Sequence, residues 1–194
     1  MIKTRLLRRI QESSCEKSWA VRALFLPFFV YLGIRHARDF EYSSIFGGLD
    51  MVIHEVGHPL FSVFGEWMHV AGGTIFQLLV PLLALIVLLR QEEYFGIAFC
   101  GVWIAENLFE IAPYVADARA QELPLVTLGA NTGEPVEVQH DWEYLLESFG
   151  ALQRDTQIGA AIHGVAQGLL WASILIGAAI VVVMASPRLR RSNS

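Results

Sequence analysis

Apolar residues in this chain come in long runs separated by short polar stretches. A helix that crosses a bilayer needs about 20 mainly apolar residues. The segments "MHVAGGTIFQLLVPLLALIVLL" (68–89) and "IGAAIHGVAQGLLWASILIGAAIVVVMA" (158–185) meet that length cleanly. "YFGIAFCGVWIAENLFEIAPYV" (94–115) meets it with Glu106 and Glu110 inside. The stretch 45–66 is long enough but carries His54, Glu55 and His58 in its middle. "WAVRALFLPFFVYLGI" (19–34) is shorter and holds Pro27, so it reads as a short span, a re-entrant segment or an interfacial helix. Within the polar interval 116–157, "GANTGEP" (129–135) has turn chemistry. "DWEYLLESFG" (141–150) follows as an amphipathic helix ending on Gly150. The pattern predicts an all-α membrane protein of one domain over residues 1–194. It is a bundle of about four transmembrane helices, with room for five or six, and a surface helix in the 117–157 loop.

Composition agrees with that reading. The chain is 54% hydrophobic and only 17% charged, against roughly 25% charged in average soluble domains. No basic stripe with interleaved aromatics points to nucleic acid. Cys15 and Cys100 lie in a basic head and an apolar helix, so no disulfide framework is expected. The basic head runs on too long before the first apolar stretch for a cleavable signal peptide.

Charge placement bears on topology. The loop 116–157 holds eight acids against Arg119 and Arg154 alone, whereas Arg35, Arg38, Arg90 and the Arg-rich tail lie outside it. If four helices cross, starting near 45, the positive-inside rule puts both termini in the cytoplasm. The inner membrane of a bacterium is the expected location. The ends of the crossings near 66 and 116 then share a face with the start of the last one near 158. His54, His58, Asp117 and the 117–157 loop can converge there, while His36 lies on the opposite face.

The polar cluster at 54–58 needs a reason, because ionisable groups inside a membrane cost about 2.5–3.5 kcal/mol each on insertion scales. His54 and His58 are four residues apart and project from one helical face. Two imidazoles so placed can hold one Zn²⁺, and Glu55 sits beside them as a general base for water acidified by the ion. This is the physical content of His-Glu-x-x-His. Pro59 removes a backbone donor directly after the motif. Asp50, one turn before His54, fits either a carboxylate orienting His54 or the N-cap of the helix.

A catalytic zinc takes three protein ligands, and the motif supplies two. Asp117 ranks first for the third, His140 second, and Glu106 or Glu110 after them. Asp141, beside His140 in the loop on the same face, is a further candidate that would also serve well as an N-cap of 141–149, and His163, another, fits helix–helix hydrogen bonding with Gln167.

A metal motif on an apolar helix followed by "NLFEIAPYVADARA" resembles the site-2 protease family of membrane zinc metalloproteases. That family has Asn-x-x-Pro and, further on, Leu-Asp-Gly, whose Asp is the third zinc ligand. The resemblance implies Asp117 as that ligand and Asn107 as a residue that helps position substrate. Ala118 stands in place of the Gly, and Asn107 precedes the Asp by two residues more than in the family pattern. "PYVADARAQEL" also resembles the Glu-Tyr-x-Ala-Asp segment of membrane-bound gluzincin proteases, with Pro113 where their ligand Glu stands.

These features lead to the expectation of a zinc metalloprotease in the lipid bilayer. It would hydrolyse peptide bonds of membrane protein or peptide substrates, with zinc as cofactor. A non-enzymatic membrane metal-binding or metal-transport protein is the alternative.

Overall fold

The structure, a computed structural model, describes residues 9–10, 18–123 and 140–186. Among them the regular elements are all helical: α1 (Trp19–Arg38), α2 (Gly47–Phe61), α3 (Glu66–Arg90), α4 (Tyr94–Ala116), α5 (Asp141–Ser148) and α6 (Asp155–Ala185). Single 3₁₀ turns, Ser62–Phe64 and Leu152–Arg154, precede α3 and α6. The turn at 129–135 expected from the sequence lies outside the described residues.

Among the described residues, four helical stretches are long and apolar enough to cross a membrane: Trp19–Arg38, Glu66–Arg90, Tyr94–Ala116 and Leu152–Ala185. The protein is therefore an all-α membrane bundle. The set of crossings differs from the sequence reading at its first member. Segment 19–34 extends into a 20-residue helix, because Pro27 falls within α1 without ending it. The metal-motif helix, in contrast, is only 15 residues long and breaks at Ser62. Gly65, at φ 100°, closes the turn into α3 in a conformation that favours glycine.

The core forms where α1, α4 and α6 meet. Phe29 and Leu32 pack with Val102, Ala105 and Phe109 and with Ala166 and Leu170, all essentially inaccessible. Small residues set the spacing between α4 and α6: a Cβ on Gly159 would meet Ala116 Cβ at 2.8 Å. Between apolar helices in lipid, such close van der Waals contact replaces the hydrophobic driving force available in water.

Contacts fix the direction of each helix. Arg22 near the start of α1 pairs with Glu93 at 3.7 Å, whereas His36 near its end accompanies Glu106 and His163. The start of α1 and the end of α6 therefore lie at the end of the bundle where α3 turns into α4. Arg35 and Arg38 lie toward the other end, away from Arg90. The sequence reading had grouped those arginines on one side, because it did not let α1 cross.

α2 and α3 run antiparallel in direct backbone contact. A Cβ on Gly72 would stand 2.8 Å from the Gly57 carbonyl oxygen and 2.6 Å from Phe61 Cβ. α5 lies across this end of the bundle. Its Leu145 packs on Val70 and Ala71 of α3, and its Leu146 packs with Ile111 and Val115 of α4. Trp67 Nε1 donates to Ser148 Oγ at 3.1 Å and ties the two elements further.

Candidate metal centre

The sequence placed His54 and His58 on one face of a helix, and the structure shows what that face meets. His54 Nδ1 lies 3.0 Å from Gln77 Oε1, and His58 Nδ1 lies 2.9 Å from the backbone carbonyl of His69. Both acceptors are carbonyl oxygens, so both Nδ1 atoms carry the proton. Each Nε2 is left with a lone pair. The His69 ring returns the contact, donating from Nδ1 to the His58 carbonyl at 2.9 Å.

Both Nε2 atoms point at one carboxylate oxygen. Asp141 Oδ2 is 3.0 Å from His54 Nε2 and 3.4 Å from His58 Nε2. The three ligand atoms lie within 4.8 Å of one another. Two imidazole lone pairs and a carboxylate facing each other are three acceptors without a donor. Such an arrangement suits a positive charge at its centre, and two imidazoles with one carboxylate are a donor set that could hold a metal ion. The residues present therefore fit a metal ion. Their Nδ1 partners are the kind of outer support that orients ligating histidines.

Gly73 makes room for this arrangement. A Cβ there would stand 2.5 Å from His54 Nε2 and 2.7 Å from His58 Nε2. The close α2–α3 contact at Gly57 and Gly72 brings the two helices to that distance. The site is thus built from three elements: α2 gives the imidazoles, α3 gives their Nδ1 acceptors and clearance, and α5 gives the carboxylate.

Asp141 is held by its own set of contacts. Its backbone N–H donates to the Tyr114 hydroxyl at 3.2 Å, and the Tyr114 ring lies 6.3 Å from that of His54. Glu55 engages no hydrogen bond or ion pair among the described residues. Its charge acts on both His58 and Tyr114.

The other sequence candidates for the third ligand have different partners. Asp117, ranked first, ends α4 and accepts from the backbone N–H groups of Glu122 and Leu123 at 2.9 and 3.0 Å. His140, ranked second, is the N-cap of α5, where its Nδ1 accepts from Glu143 N at 3.3 Å. Burial pushes the His140 pKa down, and its Nε2 stands 3.8 Å from Asp117 Oδ2. Glu106 faces His36 at 3.3 Å and Ser44, while Glu110 accepts from Ser43 at 2.9 Å. His163 contacts the His36 carbonyl at 3.1 Å. None of these joins the group formed by His54, His58 and Asp141.

The N-cap falls one residue before the position expected from the sequence. His140 takes the N-cap, so Asp141 enters the first turn with its carboxylate free. The signal was present in the sequence: Asp141 and Leu145 are four apart, which puts the acid on the buried face of an amphipathic helix. Asp50 is not the N-cap of α2; that position is Phe46. Nor does it orient His54, a role that falls to Gln77. Asn107, the residue implied to position substrate, is fully buried and donates to the Trp103 carbonyl.

No family model, curated protein or solved structure matches the chain. The class rests on fold and site, an all-α membrane bundle with a His-His-Asp group able to hold a metal ion. The similarity to site-2 proteases rests on the short motifs alone.

Proposed function

We propose that the protein is a membrane-embedded zinc metallopeptidase acting on membrane-associated proteins or peptides. The observation that carries this reading is the orientation of His54 and His58. Each Nδ1 is tied to a carbonyl oxygen, and each Nε2 is turned to Asp141 beside an unpaired Glu55. Zinc bound there would supply a Lewis acid and lower the pKa of water to about 7. Glu55 follows His54 directly and is free of competing partners. It would take the proton from the attacking water and pass it to the leaving amine. Tyr114 and the α5 contacts would keep Asp141 in register with the imidazoles.

The basic residues of the sequence support an orientation. Arg90 and the end of α6, which the Arg-rich segment follows in the sequence, share one end of the bundle, and we assign that end to the cytoplasm. The metal group then opens toward the opposite side of the membrane, which in a bacterium is the periplasmic face of the inner membrane.

The test is purification in detergent with measurement of bound metal and of cleavage of transmembrane peptides. Glu55→Gln should keep zinc and lose cleavage. A Glu55→Gln protein that cleaves as well as wild type would sink the peptidase reading. Zinc bound by wild type with no cleavage of any peptide would move the protein to the metal-binding or transport class.

A further inference from the structure

A second polar group lies on α2 one turn before the metal motif, and the peptidase reading makes no use of it. Asp50, Glu106 and Asn107 are each fully buried, with 0% of their surface exposed. Trp103, Glu106, Asn107 and Glu110 share one face of α4 by their spacing, and Asp50 of α2 packs against that face. Trp103 Nε1 donates to Asp50 Oδ1 at 2.8 Å. Ser44 Oγ donates to Glu106 Oε2, which His36 Nε2 also approaches at 3.3 Å. Asn107 Nδ2 is committed to the Trp103 carbonyl at 2.8 Å.

Each of the three side chains keeps one buried oxygen without a hydrogen-bond partner: Asp50 Oδ2, Glu106 Oε1 and Asn107 Oδ1. The Asp50 carboxyl interacts with the Asn107 amide and feels the charges of Glu106 and Glu110. Glu110 is accounted for separately, by Ser43 Oγ at 2.9 Å and the Ser44 backbone. Arg35 is turned to the Tyr42 ring, 4.3 Å from its centroid. Buried acceptors without donors are costly, and buried carboxylates need a compensating charge.

The geometry points to a second cation site, formed by Asp50 Oδ2, Glu106 Oε1 and Asn107 Oδ1. The donors are two carboxylates and an amide oxygen, with neither nitrogen nor sulfur among them. That set selects a hard cation of the Ca²⁺ or Na⁺ type and disfavours zinc. The site is independent of the peptidase reading. It joins α2 to α4, a pair of helices that otherwise touch little, and so braces α2 from below His54.

The experiment uses the purified full-length protein in detergent, with its transition-metal content fixed and measured. CaCl₂ and NaCl are titrated separately against choline chloride as the ionic-strength control. One of the two cations should raise Tm saturably, since a ligand bound only by the folded state stabilises it. Asp50→Asn and Glu106→Gln should each abolish the rise or weaken apparent affinity at least about tenfold, because carboxylate count sets affinity at oxygen sites.

Terbium offers a reading that does not depend on the stability of the variants. Trp103 touches Asp50, so Tb³⁺ in the site should luminesce on indole excitation and be displaced by Ca²⁺. Trp103→Phe should remove that signal while keeping the cation-dependent Tm rise. The proposal fails if neither cation raises wild-type Tm above choline, or if the rise is unchanged in Asp50→Asn and Glu106→Gln. It also fails if infrared spectra show a carboxylic acid band that those two variants remove and that neither cation alters. In that case protons occupy the oxygens.

Discussion

Two polar groups sit one helical turn apart on α2 and solve the problem of burial differently. Around His54 and His58, every supporting contact leaves the ligand atoms free and aims them at a common point. The Nδ1 atoms are used up on Gln77 and His69, and Gly73 holds the space open. Around Asp50 and Glu106, the supporting contacts take one oxygen of each carboxylate and leave the other buried without a donor. The first group is assembled from three elements at the end of the bundle and is partly accessible. The second joins two helices and is sealed. On the proposed readings, an exchangeable metal suits the first, and a permanent brace suits the second.

The largest effect that would break this contrast concerns zinc itself. His54→Ala and Asp141→Ala should each reduce bound zinc from about one per chain to near zero, since structural and catalytic sites need their full ligand set. Asp117→Asn should retain it. Metal analysis by mass spectrometry checks all three. Zinc lost from Asp117→Asn and kept by Asp141→Ala would restore the order expected from the sequence.

Glu55→Gln should lower the rate of peptide cleavage about 10²–10⁴-fold with zinc content unchanged, the usual range for a lost general base. Gln77→Ala should weaken zinc binding about 10–100-fold, as removal of an outer partner of a ligating histidine does. Competition with a chelator of known affinity gives the number. Gly73→Ala should weaken zinc as well, because its Cβ would stand 2.5 and 2.7 Å from the two Nε2 atoms. The Asp50 group should be indifferent to both substitutions.

Gly57→Ala presses a methyl group onto the α3 backbone and should cost about 1–3 kcal/mol, the usual range for overpacking. Denaturant titration in mixed micelles measures it. Tyr114→Phe removes one hydrogen bond, to the Asp141 N–H, and should cost about 0.5–1.5 kcal/mol. A cost for Tyr114→Phe larger than for Gly57→Ala would mean that α5, rather than the α2–α3 contact, holds the site together.

The long apolar runs made the helical class and three of the four crossings legible, because membrane length is written directly in composition. His54, Glu55 and His58 were legible for a similar reason: helical spacing alone puts the two imidazoles on one face. The sequence left the first crossing open, as one of three readings of 19–34. Whether Pro27 ends a helix depends on what packs around it, and α1 is held by Phe95, Leu170 and Trp171 from distant segments. The length of α2 was also hidden, since nothing local marks 62–65 as a break except Gly65.

The sequence by itself determined a helical membrane protein with two metal-competent imidazoles and an adjacent carboxylate. Those properties follow from composition and from the 3.6-residue period, both local. Only the tertiary structure decided that Asp141, rather than Asp117 or His140, faces them. That choice turns on which of two neighbouring residues caps α5, and on the docking of α5 against α3 and α4. Contacts between segments more than 80 residues apart in the chain set that geometry, and no local pattern encodes it.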